Sequence, residues 1–472
     1  MKQLRKSIRL CAILLAVMLL LPMAYGAYGL LRYGTRWRTS EYNTYLTSMK
    51  SGVVAGSIFD RNGELLAYTV VSTGEDGSLV TRRQYAQDEA VRRAAVHVVG
   101  NTRSTVKNAV ESFMAEYLYG ASMSFQERVE QSRTGMLRGD DVQLTLDSAL
   151  SAYAASQFPE GKNGAIVVMN YKTGEVLTLC SFPNFDPAAG AAVTVSQALN
   201  RATRWLSAPG STFKIVTLSA ALQNMADAES RTYECTGGVA FGEHERTVRD
   251  YGGTAHGSLT LKKAFAQSCN STFAILASEL GDKALRRTAE SFGIGDDFTF
   301  RDLVVENSAF SSSSAPLLGA DLAWTGAGQN ELALTPLHMC MIAAAVANDG
   351  VMMEPRLLLQ AVTPAGMLRA AFEPIVYRTA LPAAAAATVK EYMREVTVSG
   401  TGRQAAVSGA VICSKTGTAE IDTQKEDNAW YVGFIDDDSA PYAVCITVQS
   451  GGTGGSAAAP IARSIFRYLL GK

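Results

Sequence analysis

Cysteine spacing of the kind that grips zinc is missing from this sequence. Its seven cysteines, Cys11, Cys180, Cys235, Cys269, Cys340, Cys413 and Cys445, never form C-x-x-C or a related pattern. The four histidines, His97, His244, His256 and His338, include no H-E-x-x-H pair. Neither a metal nor a cofactor is therefore expected. Most cysteines sit in apolar runs such as Val411-Ile412-Cys413 and read as small buried residues. Their odd number leaves at least one free or intermolecular. Excess charge of one sign is also absent. Lys and Arg total 43 against 44 Asp and Glu, and a net charge of −1 gives no support for nucleic-acid binding. Nor is there the polar bias of a disordered chain. With 47% hydrophobic and 18% charged residues over 472 positions, the chain can bury a large core and suggests two or three domains.

What the N-terminus does have is a long uncharged stretch. Lys2, Arg5, Lys6 and Arg9 precede residues 10–31, which are long enough to cross a bilayer as a helix. Basic residues on that flank predict a cytoplasmic tail over 1–9, a single anchor over 10–31 and an extracytoplasmic remainder. Ala24-Tyr25-Gly26 offers a signal-peptide cleavage site as the rival. The apolar run exceeds a usual signal core, which favours an uncleaved anchor.

Residues 32–140 are polar and mixed, and read as a spacer or docking domain. Within them, 56–67 read as strand, Asn62-Gly63 turn and strand, and 105–118 carry apolar residues at helical spacing. A second block, 141–472, opens on a strand that Asp147 or Ser148 follows as a helix cap. Residues 165–170 and 175–179 form a hairpin around Lys172-Thr173-Gly174. Alanine-rich helices follow over 259–280, 336–348 and 384–396, then strands near 430–434 and 442–448 and a last helix over 460–470. Strands at both ends with helices between them predict an α+β architecture, an antiparallel sheet closed by the first and last segments.

Three short motifs stand in order inside that block: Ser211-Thr212-Phe213-Lys214, Ser268-Cys269-Asn270 and Lys415-Thr416-Gly417-Thr418. Single motifs mean little. By composition about one S-x-x-K arises by chance in such a length, and Ser104-Thr105-Val106-Lys107 also fits. Lys172-Thr173-Gly174 is a second K-T-G, disposed of by its hairpin turn. Context selects the first motif, because Ala208-Pro209-Gly210 is a turn leading into an apolar run. That places Ser211 at a helix start, with Lys214 one turn along the same face. Burial would depress the Lys214 amine until it can take a proton from the serine. Ser268 could relay a proton and Asn270 could bind a substrate amide. Gly417 would let a substrate approach the strand backbone, while Lys415 and Thr416 meet a carboxylate and Thr418 supplies an oxyanion donor. The parts are those of a serine acyl-transferase with lysine as its base.

The ordered triple resembles the penicillin-binding proteins and serine β-lactamases. The chain looks most like a class B penicillin-binding protein, a monofunctional peptidoglycan D,D-transpeptidase, over nearly its whole length. The resemblance extends to the membrane anchor, the 56–67 segment, His256-Gly257, Gly328-Gln329, Thr335-Pro336-Leu337 and Ala429-Trp430-Tyr431-Val432-Gly433. It implies a transpeptidase domain over 141–472. Ser211 would be the acylated nucleophile and Lys214 its base. Ser268 and Asn270 would form the second catalytic element, with Lys415, Thr416, Gly417 and Thr418 along the donor-peptide strand. Stem peptides and β-lactams are the implied ligands, and a polytopic glycosyltransferase of the SEDS type the implied partner. Three positions depart from the family pattern. Ala55 stands where arginine is usual, Asn330 where glycine is common and Asn428 where histidine often occurs. A β-lactamase on the same fold needs a water-activating glutamate, and no E-x-x-L-N-like stretch lies between Asn270 and Lys415. The same motifs would also serve a D,D-carboxypeptidase, or a non-catalytic penicillin-binding scaffold or sensor.

Overall fold

A computed structural model describes residues 2–39, 53–75, 79–133, 135–241, 247–420 and 426–472. The chain opens with one helix, Lys2–Thr39. Its Gln3–Leu31 portion is apolar and long enough to cross a membrane, and none of its most apolar window is buried among the described residues. Leu14, Leu20 and Met23 are exposed along it.

The second block is built on a five-stranded antiparallel sheet in the order Ile412–Ala419, Asn428–Ile435, Tyr442–Val448, Gly164–Asn170, Val176–Phe182. Strands from the start and end of the block are thus neighbours, as Val444 opposite Val168 shows. Both faces are buried, which explains the nearly unbroken apolar runs. Val167, Met169, Val432 and Phe434 join a core that includes the fully buried helix Pro336–Ala347. Ile166, Val168, Tyr431 and Val444 face the opposite way, into a core shared with the C-terminal helix Ala459–Leu469. Asp147 caps the helix Ser148–Ser156 by accepting the Leu150 N–H at 2.9 Å. In the Asn170-to-Val176 turn, Gly174 has φ +75°, and a Cβ there would lie 2.1 Å from the Glu354 carbonyl oxygen. That K-T-G copy is a turn fixed by close backbone approach.

A second sheet of six strands joins the two halves of the sequence. Its order is Leu368–Ala371, Leu358–Val362, Asp141–Leu144, Ile58–Phe59, Leu65–Thr73, Leu79–Tyr85. The expected boundary at 140/141 therefore divides the sequence without dividing this sheet. Arg369 reinforces the union, pairing with Asp140 at 3.0 Å and Glu127 at 2.7 Å. Asp60, fully buried, accepts from the Asn62 and Glu64 N–H groups and, across the boundary, from the Ser148 N–H and from the Ser148 hydroxyl at 2.7 Å.

The helix expected over 105–118 is broken into two short pieces, Val110–Phe113 and Ala115–Leu118. Ser104 and Asn108 take φ values of 52° and 58°, which no helix accommodates. Ser104 and Lys107 consequently do not share a helical face, and the decoy S-x-x-K fails on backbone geometry. Arg83 donates to the Gly56 carbonyl oxygen at 2.6 Å and pairs with buried Glu111, so a guanidinium serves that segment although Ala55 stands at the usual arginine position.

Asp60→Ala removes a buried acceptor of four donors. It should lower stability by about 2–4 kcal/mol, read as a fall in the thermal unfolding midpoint of the purified protein. An unchanged midpoint would show that Asp60 does not tie the two halves together.

Candidate active site

Gly210–Phe213 is a single 3-10 turn that feeds the helix Lys214–Asn224. The Thr212 hydroxyl closes the turn onto the Pro209 carbonyl at 2.8 Å. Ser211 is half-buried at the edge of a cavity, while Lys214 directly behind it has no exposed surface. The Lys214 Nζ donates to Ser211 Oγ at 3.0 Å, the Ser268 carbonyl at 2.7 Å and Asn270 Oδ1 at 2.5 Å. Burial lowers its pKa to about 7, against partial compensation by Cys269 and Asp250. The amine can therefore be neutral while it touches the serine.

Ser268 lies between two helices, Leu261–Ala266 and Asn270–Ser291. Its φ of +61° is a left-handed conformation that a serine adopts only when its surroundings impose it. The turn aims the hydroxyl at both amines. Lys415 Nζ donates to Ser268 Oγ at 2.8 Å, and Lys214 Nζ lies 3.4 Å from the same oxygen. Lys415 is also fully buried, and burial, followed by the charge of Lys214, drives its pKa well below the usual lysine value.

Lys415 to Thr418 belong to the strand Ile412–Ala419, an edge of the five-stranded sheet. The strand's inner side pairs in register with Asn428–Ile435, placing Gly417 opposite Trp430. Ser211, Ser268, Asn270, Thr416 and Thr418 all line one cavity of about 430 Å³. The structure thus brings every expected site residue to one place, and Gly417 has a packing role besides. A Cβ at Gly417 would lie 2.6 Å from the Pro209 carbonyl oxygen and 3.0 Å from Thr212 Cγ2. The missing side chain makes room for the nucleophile turn.

Two further glycines complete that fit. Gly210, at φ +56°, would place a Cβ 2.6 Å from the Thr418 carbonyl oxygen. Gly328, at φ +101°, ends the helix Gly319–Ala327 and would place one 1.8 Å from the Gly210 carbonyl oxygen. The turn is wedged between a strand and a helix end. Gln329 donates from Nε2 to the Thr418 carbonyl at 3.2 Å, and Thr401 hydrogen-bonds through its hydroxyl to Thr416. Sequence reasoning missed Thr401 and the packing roles of Gly210 and Gly328. The Pro209-Gly210 turn and the Gly328-Gln329 pair carried a signal, and Thr401 carried none. Asn330 has φ +66°, a conformation that asparagine tolerates next best after glycine. Asn428 is buried and accepts the Ser450 N–H at 3.1 Å.

Sequence spacing also hid a cluster beside the site. Cys235, Asp250, His256 and Cys269 bring one donor atom each to within 4.8 Å of one another. The expectation of no metal rested on short-range spacing, and these residues lie far apart in the chain.

A serine hydroxyl held by a buried amine, beside a sheet edge that can take an extended peptide, defines a lysine-assisted serine acyl-transferase. A family model, the penicillin binding protein transpeptidase domain, matches residues 164–467. The chain is 29% identical over 444 residues to the peptidoglycan D,D-transpeptidase PbpA of Mycolicibacterium smegmatis, covering 86% of this chain and 87% of that one. It is 30% identical over 441 residues to PbpA of Mycobacterium tuberculosis, with the same two coverages of 86% and 87%. The ceftriaxone acyl-enzyme structure of M. tuberculosis penicillin-binding protein A matches with TM-score 0.79 and 29% identity, over 90% of this chain and 100% of that chain. A D,D-transpeptidase domain from Eggerthella lenta matches with TM-score 0.76 and 30% identity, over 89% of this chain and 99% of that chain. The chain belongs to the penicillin-binding protein transpeptidase family and is a class B member.

Two measurements test the geometry. The neutral fraction of Lys214 grows as pH rises, so acylation by a fluorescent penicillin should accelerate through a pH of about 7 and level off above it. A rate that is flat from about pH 6 to 8 would remove Lys214 as the base. Gly328→Ala should displace the Ser211 turn and slow acylation on the order of a hundredfold, with a far smaller change in thermal stability. Acylation at the parent rate would contradict the wedge.

Proposed function

We propose that this protein cross-links peptidoglycan as a D,D-transpeptidase through an acyl-enzyme on Ser211. The observation that carries the assignment is the 3.0 Å contact between Ser211 Oγ and the fully buried Lys214 amine. Neutral Lys214 takes the proton from Ser211 as Oγ bonds to the penultimate D-Ala carbonyl carbon of a stem peptide. The negative oxygen of the tetrahedral intermediate is held by main-chain N–H groups of Ser211 and Thr418. The C–N bond then breaks, and the departing D-Ala amine receives a proton through the Ser268 hydroxyl, resupplied by the Lys214 ammonium. Lys415, Thr416 and Thr418 hold the terminal carboxylate, and the peptide adds to the free edge of their strand. An amine of a second stem peptide attacks the ester, and its proton returns to Ser211 Oγ as the cross-link forms. β-Lactams acylate the same serine but keep their leaving amine tethered.

The apolar Gln3–Leu31 helix anchors the chain in the membrane by a single pass. Lys2, Arg5, Lys6 and Arg9 on its N-terminal side place that end in the cytoplasm and the catalytic block outside. Residues 32–140 act as the spacer and docking domain, the transpeptidase domain occupies 141–472, and the partner is a polytopic glycosyltransferase of the SEDS type.

Ser211→Ala should abolish stoichiometric labelling by fluorescent penicillin, and labelling that persists would move the nucleophile elsewhere. Parent protein, supplied with lipid-linked precursor and a polymerase, should yield cross-linked dimer peptides with release of D-Ala. D-Ala release without dimers would make it a carboxypeptidase, and rapid release of hydrolysed drug a β-lactamase.

A further inference from the structure

The free edge of the strand Ile412–Ala419 leads out of the active-site cavity into a second cavity. Gln329 donates to the Thr418 carbonyl at 3.2 Å, so the main-chain groups of Thr418 face that open edge. A donor peptide with its terminal carboxylate at Lys415 and Thr416, and its scissile carbonyl on the Thr418 N–H, runs antiparallel to the strand. The residue before its penultimate D-Ala then lies beyond Thr418, about 3.4 Å further along per residue, and comes beside Glu420. This direction rests on the acyl-enzyme reading above.

A cavity of about 470 Å³ opens at that point. It shares Gln329 and Glu420 with the active-site cavity and adds Arg249, Trp324 and Asn330. Arg249 ends the short strand Val248–Arg249, and its carbonyl accepts from Asn270 Nδ2 at 2.8 Å, which ties it to the second motif. Trp324, on the helix Gly319–Ala327, is half-buried against Val248, Ala274 and Ala323. The Arg249 and Glu420 side chains are exposed, and neither makes an ion pair among the described residues. Partial desolvation, and then the charge of Asp427, raise the Glu420 carboxyl above its ordinary range. A bound cation relieves that repulsion. The cavity thus offers a carboxylate, a guanidinium and an indole surface, all without charged partners of their own. An apolar ligand would leave both charges unpaired, and a lone ammonium would satisfy Glu420 but not Arg249.

We propose that this cavity is the subsite for the donor residue that precedes the penultimate D-Ala, and that it selects a diamino acid whose side chain ends in an ammonium and a carboxylate on one carbon, as in diaminopimelate. Glu420 takes the ammonium, Arg249 takes the carboxylate, and Trp324 packs along the methylene chain. Glu420 and Arg249 are specificity-determining residues, remote from the reacting atoms.

Four penicillins test this on the full chain in detergent. Each carries a six-carbon acyl side chain whose far end bears an ammonium with a carboxylate, the ammonium alone, the carboxylate alone, or neither. The second-order acylation rate, read by competition with fluorescent penicillin, should be about twentyfold higher for the doubly charged drug than for the uncharged one, with about fivefold from each charge. Glu420→Gln should erase the part of that preference due to the ammonium, and Arg249→Gln the part due to the carboxylate, each narrowing it about fivefold. Equal rates for all four drugs on the parent protein, or variants that slow all four alike, would overturn the subsite. A preference for the ammonium alone, untouched by Arg249→Gln, would overturn the selection of a doubly charged side chain. The drugs report on the cavity whichever acceptor resolves the acyl-enzyme. An absence of cross-linked dimers from lipid-linked precursor would therefore end the transpeptidase reading while the drug preference stands, so the two assignments fail separately.

Discussion

Two fully buried lysine amines meet one serine hydroxyl, and the chemistry of this protein depends on that crowding. An amine in water is a poor base near neutral pH because it is already protonated. Lys214 loses hydration entirely, and its pKa falls from 10.5 to about 7. A shift of that size favours the neutral amine by about 5 kcal/mol relative to water. Lys415, equally buried, feels the same desolvation and then the charge of Lys214. The pair is tolerated because polar atoms surround it. Ser268 supplies its carbonyl to Lys214 and its hydroxyl to both amines, Asn270 gives Oδ1 to Lys214 and Thr416 a carbonyl to Lys415. Without those acceptors, two buried amines would be a large liability.

The scaffold exists to keep those acceptors in place. The nucleophile turn is squeezed from two sides by main chain, and glycine at 210, 328 and 417 is what permits the approach. Any Cβ there would push Ser211 away from Lys214 or from the strand. The middle motif is held differently, by a strained backbone at Ser268 and by Asp250 gripping the N–H of Asn270. Rigid packing fixes the serine, and a polar network fixes the relay.

Much of this was legible in the sequence, in unequal measure. Short continuous apolar runs and the Lys172-Thr173-Gly174 turn made the central hairpin readable, because apolar runs and turn chemistry are local. Pro209-Gly210 before an apolar run separated Ser211 from the decoy at Ser104, and the left-handed Ser104 and Asn108 give the physical reason. The same local reading failed over 105–118, where helical spacing of apolar residues did not survive a positive φ at Asn108. The contact of Gly417 with the nucleophile turn was not legible either, since a glycine's missing Cβ looks the same whether it admits a substrate or another part of the protein. The cluster around Asp250 was invisible for a further reason. Its members are separated by 15, 6 and 13 positions, and only the pairing of two short strands and the entry of one helix bring them together.

The sequence by itself determined the order of the three motifs, the hairpin that opens the sheet, the helix that follows the serine and the apolar N-terminal segment. Each is set by side-chain type within a few residues, through turn preference, periodicity or hydropathy. The tertiary structure alone decided which serine meets a neutral amine, which glycines are contacts between segments, and that 358–371 complete a sheet begun before 141. Those outcomes depend on burial and on distances across hundreds of residues. Desolvation of Lys214 is a property of everything packed around it, and no short stretch of sequence encodes it.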